Sequence, residues 1–186
     1  MKDKQSLSGI VSSTKQLSEQ GFVKHFIHPG EFVFGGSNLH IHTILGSCIA
    51  ITLWHPILKI GGMCHFVLPK KTGGISELSL DGRYCDGAMA LFEKEAHKHG
   101  TNLDEYQGKI FGGSNMLTNL TLKEDELVGT KNTEAAVNWL LKKGVSLLVA
   151  HVGETGHRRI VFDVANGDVW VKHSPLQDVV PNSNRP

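Results

Sequence analysis

The chain has 186 residues, 40% apolar and 20% charged, which suits one globular domain with a sizeable core and excludes disordered or fibrous classes. Nineteen basic against eighteen acidic residues give a formal charge of +1, and no run of Lys or Arg exceeds a pair, so the electrostatic footprint of a nucleic-acid binder is missing. No signal-peptide-like or membrane-spanning apolar run is present, so a cytoplasmic protein without membrane insertion is expected. Cys48, Cys64 and Cys85 are an odd set without CxxC spacing, which argues for free thiols over a disulfide framework or a zinc knuckle.

Residues 1–21, rich in Ser, Gln and Lys, read as a flexible extension. From Phe22 onward, VKHFIHPGEFVFG forms two short extended pieces broken by the turn dipeptide Pro29-Gly30. Ile49–Trp54 and the later run GGMCHFVLP read as the arms of a β-hairpin around His55-Pro56. Lys70–Gly82 is a loop. Tyr84, Ala88, Leu91, Phe92 and Ala96 mark a helix over 84–99 that Gly100 stops. Lys109–Phe111 is a short strand leading into Gly112-Gly113, where backbone can approach closely. A second helix is expected to start at Asn132 or Thr133 as its cap and to end at Gly144. Strands return in VSLLVAHVG and RRIVFDVANGDVWVK, and residues 173–186 read as a flexible tail. Without regular βαβ alternation, the expected fold is α+β: mixed or antiparallel sheets in a sandwich-like arrangement with flanking helices, one domain over 22–172.

The hairpin carries a Cys and a His that could act together. A turn centred between Pro56 and Ile57 puts Cys48 opposite His65, with Cβ atoms about 5 Å apart; one centred a residue later makes them same-face diagonal neighbours, roughly 7–8 Å apart. A turn centred on Ile57 itself would send them to opposite faces. A thiol needs an imidazole that takes its proton or pairs with the thiolate, and in the latter case the thiol should titrate below neutrality. Gly46-Ser47-Cys48 could present N–H groups to an oxyanion. Thr43 is the candidate that holds the imidazole in one tautomer.

The stretches Leu45-Gly46-Ser47-Cys48-Ile49-Ala50, His55-Pro56 and Gly61-Gly62-Met63-Cys64-His65-Phe66-Val67-Leu68-Pro69 closely resemble the CheD family of chemoreceptor glutamine deamidases. Pro29-Gly30-Glu31, Tyr84-Cys85-Asp86-Gly87-Ala88-Met89, Lys109 through Met116 and Gly129-Thr130-Lys131-Asn132 extend the resemblance in order along the chain. It implies an amidohydrolase without a cofactor or metal. Cys48 would attack a glutamine carboxamide of a methyl-accepting chemotaxis receptor, His65 would be its base, and a thioester would be hydrolysed to leave glutamate after ammonia departs. Thr43 matches a spacing of five residues before the cysteine, and His42 occupies the alternative spacing of six. The resemblance also implies docking to a CheC-type phosphatase, and a regulatory binding module with little catalysis is the alternative function. The family's acidic residue and Gly pair near the late strand correspond here to His151-Val152-Gly153-Glu154, and its Arg-Asn pair to Lys131-Asn132.

Other signals are weaker. His40 and His42 alternate on one strand and could join Cys48, Cys64 and His65 in a metal site, but Cys64 and His65 are neighbours that should point to opposite faces. Cys64 and Cys85 then read as core residues. Gly112-Gly113 lacks the Lys-Ser/Thr of a phosphate loop.

Overall fold

The computed structural model describes residues 15–17, 21–71, 80–116 and 127–176. Two mixed five-stranded sheets face each other. The first has the order β1 (Lys15–Leu17), β2 (Val23–Phe26), β4 (Leu39–Leu45), β9 (His157–Asp163), β10 (Val169–Ser174), and the second β3 (Phe32–Gly35), β6 (Ile60–Phe66), β5 (Ile49–His55), β7 (Gln107–Gly112), β8 (Ser146–Val152). Within the sheets β2 runs parallel to β4 and β7 parallel to β8; the other pairs are antiparallel. The α+β sandwich with flanking helices is therefore as expected. β1 lies within the stretch read as an extension, and the rest of that stretch, like most of the loop at 72–79 and the tail from 177, falls outside the described residues.

Pro29-Gly30 does more than turn the chain: β2 and β3 on either side of it belong to different sheets. The burial rhythm shows how the layers stack. Residues of β4 alternate between buried and more exposed, the mark of a sheet with one open face. β5 is buried almost throughout, because both of its faces are covered. On one face Ile49, Ile51 and Leu53, with Cys64 and Phe66, pack against α1 (Cys85–Lys98) and α2 (Val128–Lys142) through Met89, Phe92, Ala136 and Leu140. On the other, Ala50, Met63 and Phe111 meet Leu39, Ile41, Leu45, Ile160 and Phe162 of the first sheet. Each fully buried Ile, Leu or Phe contributes roughly 1.5–3 kcal/mol, so the middle sheet is the anchor of the molecule.

The second helix begins a turn earlier than its capping signals indicate. Leu127 occupies the N-cap position, Asn132 lies inside the helix and fully buried, and the Thr133 hydroxyl bonds back to Gly129 O at 2.9 Å. Asn and Thr signal a cap because their side chains can take up free helix N–H groups. Here the Asn132 amide is engaged by carbonyls from other elements instead, and tertiary contact overrides the local preference.

Candidate active site

The hairpin selects one of the two productive registers. Ala50 pairs with His65 across β5 and β6, so Cys48, one residue ahead of β5, is a diagonal neighbour of His65 on the same face, at a Cβ separation of roughly 7–8 Å. That face is the one between the sheets: Ala50 and Met63 share it, and Cys48 packs half-buried against the same cluster. Cys64 points the other way, into the core beneath the helices, with Cys85.

Thr43 reaches His65 from the opposite sheet. Its Oγ1 lies 2.8 Å from Ile27 O and 2.9 Å from His65 Nδ1. A hydroxyl has one hydrogen, and the Ile27 carbonyl can only accept, so that hydrogen goes to Ile27 and Thr43 must accept from Nδ1–H. The tautomer follows: Nε2 carries the lone pair. This nitrogen is buried and has no hydrogen-bond partner among the described residues. His42, the other residue at family spacing, stacks on Phe26 with ring centroids 4.7 Å apart and belongs to the outer face of the first sheet. His40, with its Nε2 3.4 Å from Asp163, is on that face too; His42 lines the same cavity as His65, but Thr43 is the residue that bonds the imidazole.

Electrostatics replace the expected ion pair with a neutral one. His65 is 2% exposed, and burial, reinforced by nearby His28, lowers its pKa to about 4. Burial also pushes the Cys48 thiol up. Neither charge is solvated well enough to form in advance, so the resting pair is thiol beside neutral imidazole.

The segment carrying Cys48 is held by all three of its carbonyls. Gly46 O accepts from Ser114 N at 2.9 Å, Ser47 O from Asn132 Nδ2 at 3.1 Å, and Cys48 O from Gly113 N at 2.9 Å. Asn132 donates its other amide hydrogen to Val67 O at 2.8 Å, clamping the segment that carries Cys48 to the end of β6. Gly112 has φ +109°, and a Cβ there would lie 2.1 Å from Cys48 O, so the close approach foreseen at Gly112-Gly113 is real and needs glycine. Beneath lies Arg158, fully buried, bonded to Ser114 Oγ, to His151 Nδ1 at 2.8 Å and to Glu154 Oε2 at 3.0 Å. The sequence marks Asn132 as a helix cap and as half of the family's Arg-Asn pair, and Ser114 as part of a family motif, but ties neither to Cys48, and it does not single out Arg158. The glycine pair was the one signal that pointed to this junction.

Beyond Ile27 the chain leaves the first sheet, while β4 continues to Leu45 without a paired strand on that side among the described residues. The gap is a cavity of about 370 Å³ whose lining includes His42, Thr43 and His65, with Phe26, Ile44 and Arg159, but not Cys48. Its size suits a side chain.

Fold and site define an α+β sandwich protein with a half-buried cysteine and an oriented, neutral histidine between its sheets. The sequence model of the family described as "CheD chemotactic sensory transduction" matches residues 67–173, beginning two residues past His65. The chain is 46% identical over 146 residues to "Probable chemoreceptor glutamine deamidase CheD 3" of Dechloromonas aromatica, covering 78% of this chain and 85% of that protein. It is 43% identical to "Probable chemoreceptor glutamine deamidase CheD 1" of Chromobacterium violaceum, covering 80% and 77%, and 41% identical to "Probable chemoreceptor glutamine deamidase CheD" of Pseudomonas savastanoi pv. phaseolicola, covering 86% and 89%. The chain belongs to the CheD family.

Proposed function

We propose that this protein is a cytoplasmic protein-glutamine deamidase. It hydrolyses glutamine side chains of methyl-accepting chemotaxis receptors to glutamate, with Cys48 as nucleophile, His65 as base and Thr43 as the residue that orients the imidazole. The catalytic unit is the domain over residues 22–172, to whose first sheet β1 and the last two residues of β10 also belong. The observation that carries the reading is the hydrogen accounting at Thr43, which leaves His65 Nε2 free to accept a proton on the face shared with Cys48.

In the first half-reaction the Cys48 sulfur attacks the carboxamide carbon as Nε2 takes the thiol proton. The donors proposed for the developing oxyanion are the peptide N–H groups of Ser47 and Cys48, in a segment whose three carbonyls are tied back into the protein. The imidazolium returns its proton to the departing nitrogen, which leaves as ammonia, and a thioester remains. Water then attacks the thioester with Nε2 as base, releasing glutamate and restoring the thiol. A buried neutral pair suits this sequence because charge forms only in passing, and the thiolate is not exposed to other electrophiles beforehand.

The alternative, a binding module with little catalysis, is not favoured, because the relatives are named for deamidation. Docking to a CheC-type phosphatase rests on the family resemblance and stands beside catalysis. The test is mass spectrometry of receptor cytoplasmic fragments incubated with the protein. A mass gain of amide to acid at defined glutamines, lost in Cys48→Ala, is the expected result; no gain with the wild-type protein would overturn the reading.

A further inference from the structure

Both helices pack on the second sheet, and the outer face of the first sheet carries no covering element among the described residues. Strand alternation puts Lys24 and Phe26 of β2, Ile44 of β4, Arg159 of β9, and Trp170 and Lys172 of β10 on this face. Its composition is unusual for a solvated surface. Phe26, Ile44 and Trp170 are 38%, 53% and 54% exposed, a concentration of large apolar side chains of the kind that marks a binding surface.

The charges are equally one-sided. Arg159 and Lys172 are direct cross-strand partners, an arrangement in which like charges repel. Neither they nor Lys24 form an ion pair among the described residues. Among the described strand residues of the face the one carboxylate, Asp163, is taken by His40. Repulsion left uncompensated inside the molecule is relieved by a partner that brings negative charge. The opening to His65 and Thr43 lies on the same face, with Phe26, Ile44 and Arg159 around it.

We infer that the outer face of the first sheet is the docking surface for the protein substrate, and that it selects a segment presenting carboxylates beside apolar side chains. The apolar side chains lie over Phe26, Ile44 and Trp170, the carboxylates meet Arg159 and Lys172, and a side chain from the docked segment enters the gap beside β4. This inference takes from the deamidase reading only the identity of the substrate, a receptor cytoplasmic fragment.

The experiment separates docking from chemistry. Binding of a fluorescent receptor cytoplasmic fragment is measured by anisotropy on the full chain carrying Cys48→Ala, with Lys172→Glu or Trp170→Ala added; both added changes lie outside the gap. Each should weaken binding at least about tenfold, and the wild-type surface should lose affinity steeply with added salt. On the otherwise wild-type chain the same two substitutions should raise KM for deamidation by a similar factor, leave kcat within about twofold, and leave the iodoacetamide reactivity of Cys48 unchanged. Lys172→Arg should restore binding. Unaltered affinity in folded Lys172→Glu and Trp170→Ala proteins would overturn the inference. So would salt-sensitive sedimentation with anionic phospholipid vesicles that both substitutions abolish while fragment binding persists, since the face would then belong to a membrane surface. Intact, substitution-sensitive binding without any deamidation by the wild-type protein would instead overturn the function proposed above and leave the surface standing.

Discussion

Thr43 on one sheet accepts the Nδ1–H of His65 on the other while giving its own hydrogen to Ile27 O. A single hydroxyl thus fixes which imidazole nitrogen is basic. Thr43→Ser keeps the oxygen and should hold kcat within a few-fold. Thr43→Val keeps the shape, strands Nδ1–H in a buried site, and should lower kcat by roughly 10- to 100-fold, a share of the full contribution of a positioned base. Steady-state deamidation of a receptor fragment checks this; equal kcat values in the two variants would show the hydroxyl to be idle.

His65, with its pKa lowered to about 4, is already neutral at the pH where an exposed histidine would still be half protonated. The acid limb of kcat/KM should therefore fall near pH 4, not near 6.5. The same shift bears on stability. The unfolded chain takes up the proton near pH 6.5 and the folded protein does not until about 4. Above pH 7 neither state is protonated and the contribution is nil. As pH falls through this window the unfolded state gains, and stability drops by up to about 3 kcal/mol at roughly 1.4 kcal/mol per unit. Urea titrations at pH 7 and pH 4.5 should show this loss in the wild type and a smaller one in His65→Gln.

The three thiols should separate by exposure and role. Cys48 is half-buried, whereas Cys64 and Cys85 are buried, with burial pushing the Cys64 thiol far up and the Cys85 thiol up to about 12. Iodoacetamide should modify Cys48 first, with a midpoint above that of a free cysteine, and peptide mapping reads the order. Cys48→Ala should abolish turnover without changing the melting temperature. Cys64→Ser should cost about 1–3 kcal/mol of stability, as a hydroxyl placed in an apolar core does, and leave kcat intact. Loss of turnover in a folded Cys64→Ser protein would mean that the wrong thiol had been chosen.

Asn132 holds two carbonyls, Ser47 O and Val67 O, that otherwise face a protein interior. Asn132→Ala leaves both without a donor, at about 1–3 kcal/mol each if buried. Asn132→Asp removes both donors and sets negative charge against the carbonyl oxygens, so it should be the worse of the two. Chemical denaturation ranks them, and kcat should fall in both because the segment bearing Cys48 loosens. Full kcat in a folded Asn132→Ala protein would exclude the clamp from function.

Much of this arrangement was legible in the sequence. Ile49–His55 and Ile60–Phe66 announced themselves by β-branched and apolar runs around His55-Pro56, and the pairing rule limited Cys48 and His65 to a few registers, of which the structure shows the diagonal one. Gly112-Gly113 advertised a close approach, though not that Cys48 O was what approached. What stayed hidden depended on long-range contact. Nothing local distinguishes a buried Arg158 from its exposed neighbour Arg159, since alternation assigns faces only once the strand's place in the sheet is known. Asn132 carried a misleading signal: the donors that make asparagine a good cap were used on another part of the chain. The neutral state of His65 followed from depth of burial, which residue types in a hairpin do not reveal.

Cys48 and His65 arise on adjoining arms of one hairpin, a unit that can form early and locally, whereas Thr43 arrives only when the first sheet closes over the second. The hairpin alone therefore sets sulfur beside imidazole without dictating which ring nitrogen is basic. That choice belongs to the closed sandwich, so any loosening of one sheet from the other would leave both side chains in place and free the ring to change its tautomer.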